Sequence, residues 1–339
     1  MSFRQNTVAV IIPCYRVKRQ VLDVIAQIGP EVDSILVVDD ACPEGTGAWV
    51  QSQCKDPRVQ VLFNAANRGV GGATMRGYKT ALVQDADLLI KLDGDGQMNS
   101  ALIPGFLAAL FEHNADYVKG NRFYRLDHAR SMPRVRLIGN LLLSFMTKVS
   151  SGYWQILDPT NGYTVLRAEV ACELPFERIE QRFFFESDLL CHLNLLGAVV
   201  QDFPMRAVYG DEQSNLQISR VFLEFFTKNI RNTGRRIAAS YFLKDINLGS
   251  AEFALGMLFL LFGVMFGGYS WMHGVATQTL QSSGTVMLAA LPTLIGLQLL
   301  VAFFAYDVNH VPTQRLERPD VAQLRAHLRT SHDADPPSP

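Results

Sequence analysis

Apolar residues come in short bursts along the first two thirds of the chain and in two long sweeps near its end. Val8–Ile12, Ser34–Val38, Val59–Phe63, Leu88–Leu92 and Tyr117–Val118 have the length and β-branched content of strands. Between them, Val21–Ile28, Gly72–Gln84 and Leu102–His113 repeat apolar side chains at three- and four-residue spacing, as helices do. Apolar strands that do not alternate with polar residues belong to sheets covered on both faces. The pattern therefore predicts an α/β domain over residues 1–215, built on a mostly parallel sheet. In such sheets ligands bind beyond the carboxyl ends of the strands.

Two later stretches, Arg130–Val149 and Leu216–Leu243, mix helically spaced apolar residues with Lys and Arg, the composition of helices lying in a membrane interface. Residues 216–248 are thus expected to be amphipathic and juxtamembrane. Phe253–Met272 and Thr285–Tyr306 carry no charge. At 1.5 Å per residue each can cross a hydrocarbon core of ~30 Å, so a transmembrane hairpin is predicted within residues 249–308. Residues 309–339 form the tail, with a disordered end expected. Lys228, Arg231, Arg235, Arg236 and Lys244 precede the hairpin, Arg315, Arg318, Arg325 and Arg329 follow it, and its connection His273–Gly284 is uncharged. The positive-inside rule then places the α/β domain and the C-terminus in the cytoplasm, on a multi-pass protein of the cell (inner or plasma) membrane. Val8–Ile12 is too short for a signal core, so no cleavable leader is expected.

The formal net charge of −1 over 339 residues gives no field for nucleic acid, and none is expected as a partner. The 5 cysteines and 7 histidines fall at no metal-ligand spacing. Chemistry is instead suggested by Asp93 and Asp95, which alternate with glycines just past a strand. Carboxylates this close repel unless a cation lies between them. Mg²⁺ or Mn²⁺, with substrate phosphates completing its shell, is the natural partner. Asp39 and Asp40 follow the second strand, where they could accept hydrogen bonds from a base or ribose. Asn67, Arg68 and Gly69 open a glycine-rich helix whose amides, with Arg68 or Arg76, could face a diphosphate.

Taken in order, Val8–Tyr15, Val37–Asp40, Asn67–Gly77, Leu92–Gln97, Gly120–Arg122 and Asp158–Gly162 resemble glycosyltransferase family 2. More narrowly the chain resembles the polyprenyl-phosphate glycosyltransferases related to dolichol-phosphate mannose synthase. The resemblance covers about residues 6–215 and implies a GT-A (nucleotide-diphospho-sugar transferase, Rossmann-like) fold, a nucleotide-sugar donor and inversion at the anomeric carbon. It would have Pro13, Tyr15 and Asp40 hold the nucleoside, Asp93 and Asp95 bind metal and diphosphate, Gln97 sit beside the sugar and Arg122 reach phosphate. It also places Glu186 and Asp188 as an acidic pair on the acceptor side. Departures are Arg16-Val17, where the family carries Asn-Glu, and Tyr209–Ser214, a loose echo of a late Arg-x-x-Gly-x-Ser-Lys element.

A sugar hydroxyl acceptor would require a general base from that pair, whereas a lipid phosphate would not, its second pKa of ~6 leaving it largely dianionic at neutral pH. Arg122, Arg134, Arg136 and Arg206 could then bring two anions together. The expected function is transfer of one hexose from a UDP- or GDP-sugar to polyprenyl phosphate on the cytoplasmic face. Two alternatives are transfer to a hydroxyl of a lipid-linked saccharide, and a non-catalytic, membrane-tethered nucleotide-sugar-binding protein. Homo-oligomerisation is left open.

Overall fold

The computed structural model describes residues 5–124, 134–206, 218–318 and 320–333. The chain divides into two compact units, one of residues 1–233 with 312–339, the other of residues 234–311.

In the first unit β1 (Val8–Cys14), β2 (Ser34–Asp39), β3 (Val59–Phe63), β4 (Leu88–Lys91), β5 (Tyr117–Asn121), β6 (Thr164–Arg167) and β7 (Val200–Pro204) form one seven-stranded sheet, ordered β3-β2-β1-β4-β6-β5-β7. All five predicted strands belong to it. Neighbours are parallel except at β6, which runs against both β4 and β5. The chain reaches β6 from the carboxyl edge of the sheet and must run back, leaving the Asp158–Gly162 loop beside the ends of β4 and β5.

Helices α1 (Val21–Ala26), α2 (Thr46–Gln53), α3 (Gly69–Val83), α4 (Ile103–Glu112), α5 (Arg134–Ser151), α6 (Ala168–Ala171) and α7 (Phe185–Leu195) surround the sheet. Every residue of β1 is buried, as a central parallel strand requires. Val8, Val10, Ile12 and Cys14 share a core with Val21 and Ile25 of α1 and Ile103 and Phe106 of α4. On the opposite face Ile11 meets α3 at Gly77, where an added Cβ would lie 3.0 Å from Ile11 Cγ1. Periodicity does not mark α2, which buries only Thr46, Gly47 and Val50.

The amphipathic segment forms α8 (Ile218–Ala238). Phe225, Asn229 and Asn232 face inward, Asn229 accepting from Ser150 of α5 at 2.5 Å, while Leu223, Phe226 and Ile230 stay exposed. The second unit is dominated by α9 (Leu248–Thr277) and α10 (Ser283–Asn309), which extend the predicted spans at both ends. Their most apolar stretches are only 22% and 11% buried, the reverse of core helices in a water-soluble domain. They meet through small residues, Gly256 against Gly296 and Gly263 against Ala289 and Thr293, so that backbones approach closely. Arg236 and Tyr241 converge on buried Asp307, at 2.6 Å each, and pin the end of α8 to the end of α10.

The segment after the hairpin is not a free tail. Arg315 pairs with Asp116 at 3.0 Å and with Glu169, Arg318 with Glu173, Arg325 with Asp87 at 3.2 Å, and Arg329 with Asp85 at 2.5 Å. The last two arginines belong to α11 (Val321–Asp333), which packs along α3. The expected disordered end, residues 334–339, lies outside the described residues.

Candidate functional site

The carboxyl ends of β1, β2 and β4 bring the predicted acids to one edge of the sheet. Asp39 and Asp40 are both buried, and both are engaged by the protein's own loops. Asp39 accepts from the amides of Cys42 at 2.7 Å and Gly47 at 2.5 Å, which fixes the turn into α2. Asp40 accepts from the Asn64 side chain at 2.7 Å and from the amides of Arg68 at 2.9 Å and Gly69 at 2.7 Å. It is the anionic cap of α3, stabilised by the helix dipole.

This corrects the reading of the glycine-rich turn. The Arg68 and Gly69 amides donate to Asp40 and the Gly72 amide donates to the Gln181 carbonyl at 3.0 Å, so these three are taken up within the protein and not turned to a diphosphate. The glycines let the 180–182 segment close on the helix: a Cβ on Gly71 would lie 2.6 Å from the Glu180 carbonyl. Arg76 is likewise turned away, donating to the Phe63 carbonyl and to Asn64 at 2.8 Å. Asn67 donates to the Asp40 carbonyl at 3.3 Å, and the Arg68 side chain is exposed. Pro13 is buried at the end of β1, and Tyr15 beyond it is 43% exposed, with the Arg16 guanidinium 5.3 Å from its ring.

Beyond β4 the two metal-type acids differ. Asp93 Oδ1 accepts from the Lys91 ammonium at 2.7 Å, whereas Asp95 Oδ1 accepts from the Gln97 amide at 2.9 Å, closing the turn. Lys91 is 1% exposed, and also reaches the Gly162 carbonyl at 3.3 Å and Glu186 Oε1 at 3.5 Å. Burial alone would lower its pKa, but Asp93 and Glu186 outweigh burial and hold it above the ordinary lysine value. Gly162 is glycine for space, since a Cβ there would meet Lys91 Nζ and lie 2.6 Å from Asp93 Oδ2. Across β6, on β5, Lys119 is buried and donates to the Asn161 carbonyl. Burial, the largest effect, pulls its pKa down to about 8 against the raising influence of Glu186 and Asp158.

Glu186 and Asp188 do not form a pair. Both lie in the first turn of α7, but side chains two apart on a helix point to different faces. Glu186 joins Lys91, while Asp188 accepts from the Glu180 amide at 2.8 Å and from Asn232 of α8 at 2.7 Å. Arg122 is held through Nε at 2.7 Å and Nη2 at 3.0 Å by Asp158, which is itself buried. Arg206 is exposed. Arg134 and Arg136 begin α5, of which the backbone alone is described there, and Tyr209–Ser214 lie outside the described residues.

Sequence reasoning therefore missed Lys91, Lys119, Asp158 and Gly162 as parts of the site. The available signal was a lysine inside an otherwise apolar strand, twice, because lysine is buried only where it has partners. Among the described residues no three His, Cys, Asp or Glu side chains gather as a metal site. The donor set present, Asp93 with Asp95, fits a hard cation whose other ligands are substrate phosphate and water.

A sequence profile described as Glycosyl transferase family 2 matches residues 9–174. An undecaprenyl-phosphate mannosyltransferase of Micrococcus luteus is 31% identical over 181 residues, 53% of this chain and 73% of that one. A UDP-N-acetylglucosamine–dolichyl-phosphate N-acetylglucosaminyltransferase of Methanococcus voltae is 24% identical, over 59% of this chain and 85% of its own. A crystal structure of glucosyl-3-phosphoglycerate synthase from Mycobacterium tuberculosis, in complex with Mg²⁺ and uridine diphosphate, overlays with a TM-score of 0.50 at 17% identity. It covers 68% of this chain and 80% of its own, and shares the fold.

Proposed function

The chain belongs to glycosyl transferase family 2, and from that premise we propose that it moves one hexose from a nucleotide-diphosphate sugar to a polyprenyl phosphate, with inversion. The observation that carries this is that, among the described residues, the acids predicted on the acceptor side are engaged by the protein itself. Glu186 is close to the Lys91 ammonium and Asp188 is bound by the Glu180 amide and Asn232. Among the described residues neither Glu186 nor Asp188 is left open as a base for an acceptor that must lose a proton, whereas a phosphate acceptor requires none. The names of the Micrococcus and Methanococcus relatives, with undecaprenyl and dolichyl phosphate, support the same acceptor class.

In this reading an acceptor phosphate oxygen attacks the anomeric carbon. The bond from that carbon to the donor's terminal phosphate oxygen breaks, and the nucleoside diphosphate leaves with the electron pair. No proton need move. A bound Mg²⁺ or Mn²⁺ would neutralise the departing diphosphate. Lys91 fixes the orientation of Asp93 towards that diphosphate, and Asp95 is set by the Asp93–Gln97 turn. Pro13 and Tyr15 border the nucleoside, with Asp39 and Asp40 shaping its loops. Gln97 lies at the sugar, and Arg122, braced by Asp158, faces phosphate. Chain connectivity supports one shared face for unit and tail, because the hairpin leaves the first unit after residue 233 and returns to it at residue 312, and the Lys and Arg residues flanking the hairpin favour the cytoplasmic face.

The test is a donor-by-acceptor matrix. Full-length protein is given UDP- and GDP-sugars with polyprenyl phosphate or a polyprenyl-linked saccharide, with Mg²⁺ or Mn²⁺, and products are read by mass spectrometry. A polyprenyl-phosphate hexose of inverted configuration is expected, and Asp95→Asn should lose about a hundredfold or more in turnover. Transfer to the saccharide hydroxyl alone, or full metal-dependent activity in Asp95→Asn, would overturn the assignment.

A further inference from the structure

The first unit carries a polar cavity of about 460 Å³ whose lining does not include Asp93 or Asp95. Asn67 and Arg68 before α3, residues 178–182, and Arg231 of α8 line it. Four of these residues are arginines: Arg68, Arg178, Arg182 and Arg231. All four are exposed, and among the described residues none of their guanidinium groups makes an ion pair or hydrogen bond. The single carboxylate of the lining, Glu180, is already paired with Lys228 at 2.6 Å. Converging four like charges is unfavourable unless an anion shares the space, and guanidinium forks match phosphate geometry.

The rim identifies the kind of anion. Phe183, next to Arg182, is 65% exposed, and Ile230, next to Arg231, is 57% exposed. Phe226 and Leu223 continue that apolar edge along α8. A free phosphate gains nothing from such a border and a nucleobase could use one ring of it, whereas acyl chains beside a headgroup can cover the whole edge from Phe183 to Leu223. We propose that this cavity is a binding site for the phosphate of an anionic membrane phospholipid, separate from the donor and acceptor positions. The lipid phosphate sits among Arg178, Arg182 and Arg231, with Phe183, Phe226 and Ile230 in the acyl border, so the site orients the first unit on its membrane.

Full-length protein is reconstituted in phosphatidylcholine nanodiscs carrying a trace of photoreactive phosphatidylglycerol or photoreactive phosphatidylcholine, and labelled peptides are mapped. The expected result is phosphatidylglycerol labelling concentrated at 178–183 and 226–231. It should fall by about a hundredfold in the Arg178→Gln/Arg182→Gln/Arg231→Gln variant, the loss appropriate to three interfacial charges. Nucleotide-sugar affinity and thermal midpoint should stay unchanged, because the three side chains are exposed and unpaired. Equal labelling in the variant, or equal labelling by phosphatidylcholine, overturns the proposal. So does displacement of the label by inorganic phosphate, which makes it a soluble-anion site, or by UDP or GDP, which makes it part of the donor site.

Discussion

Lys91 reads at first as an interruption of an apolar strand, yet its buried ammonium stands between Asp93, which is 28% exposed, and the largely buried Glu186. Removing one partner of a buried charge cluster leaves the others uncompensated. Lys91→Met should therefore lose about 3–5 kcal/mol of stability. In whatever fraction folds, Mn²⁺ affinity measured by electron paramagnetic resonance should fall, because Asp93 is no longer oriented. Unchanged affinity would make the lysine a packing feature only. Lys119 gives a prediction in pH. Its pKa is about 8 when folded, against an ordinary value of 10.5. Below about pH 8 both states hold the proton and stability is flat; between about 8 and 10.5 the unfolded chain binds more protons, so stability rises with pH. The thermal midpoint of the wild type should climb relative to Lys119→Met across that window, and a parallel pair of curves would contradict it.

Among the elements, α3 and α7 show how acidic residues near a site can be structural. Asp40 caps α3 and lets the helix begin at Gly69, three residues before the predicted Gly72. The glycines that follow admit residues 180–182, so Gly71→Ala should cost about 1–3 kcal/mol as that segment is pushed away, read as a lower thermal midpoint. Asp188, tied to the Glu180 amide and Asn232, holds α7 against α8. Asp188→Asn weakens two hydrogen bonds to a charged acceptor and should destabilise by about 1.5–3 kcal/mol while leaving the KM for donor unchanged. A variant that keeps its stability and loses only turnover would restore Asp188 as a base.

For the molecule as a whole, the four arginines after the hairpin serve two arguments at once. They satisfy the charge bias expected of a cytoplasmic segment. They also fasten residues 312–333 to Asp116, Glu169, Glu173, Asp87 and Asp85 of the first unit. Asp116 is fully buried, so losing Arg315 strands its charge, whereas the exposed Arg329–Asp85 pair is worth little. Arg315→Gln with Arg318→Gln should expose the segment to limited proteolysis, while Arg329→Gln should leave the cleavage rate near that of wild type.

By itself the sequence determined the α/β sheet, the order of the site loops along it, the carboxylate pair past β4 and the two long apolar helices. Each of these is a local pattern: apolar runs of strand or helix length, and acids at fixed distance from a strand end. It could not decide which acids remain open to a ligand. Asp39, Asp40 and Asp188 are as acidic in sequence as Asp93 and Asp95, but Asp39 is held by the turn into α2, and Asp40 and Asp188 find partners in distant segments, at Asn64, Arg68 and Gly69 and at Asn232. Only the tertiary structure assigns those hydrogen bonds, and only it carries Lys91 and Lys119 inward. It does so because β6 runs antiparallel between β4 and β5, setting Thr164 opposite both lysines and Asn161 and Gly162 at their ammonium groups.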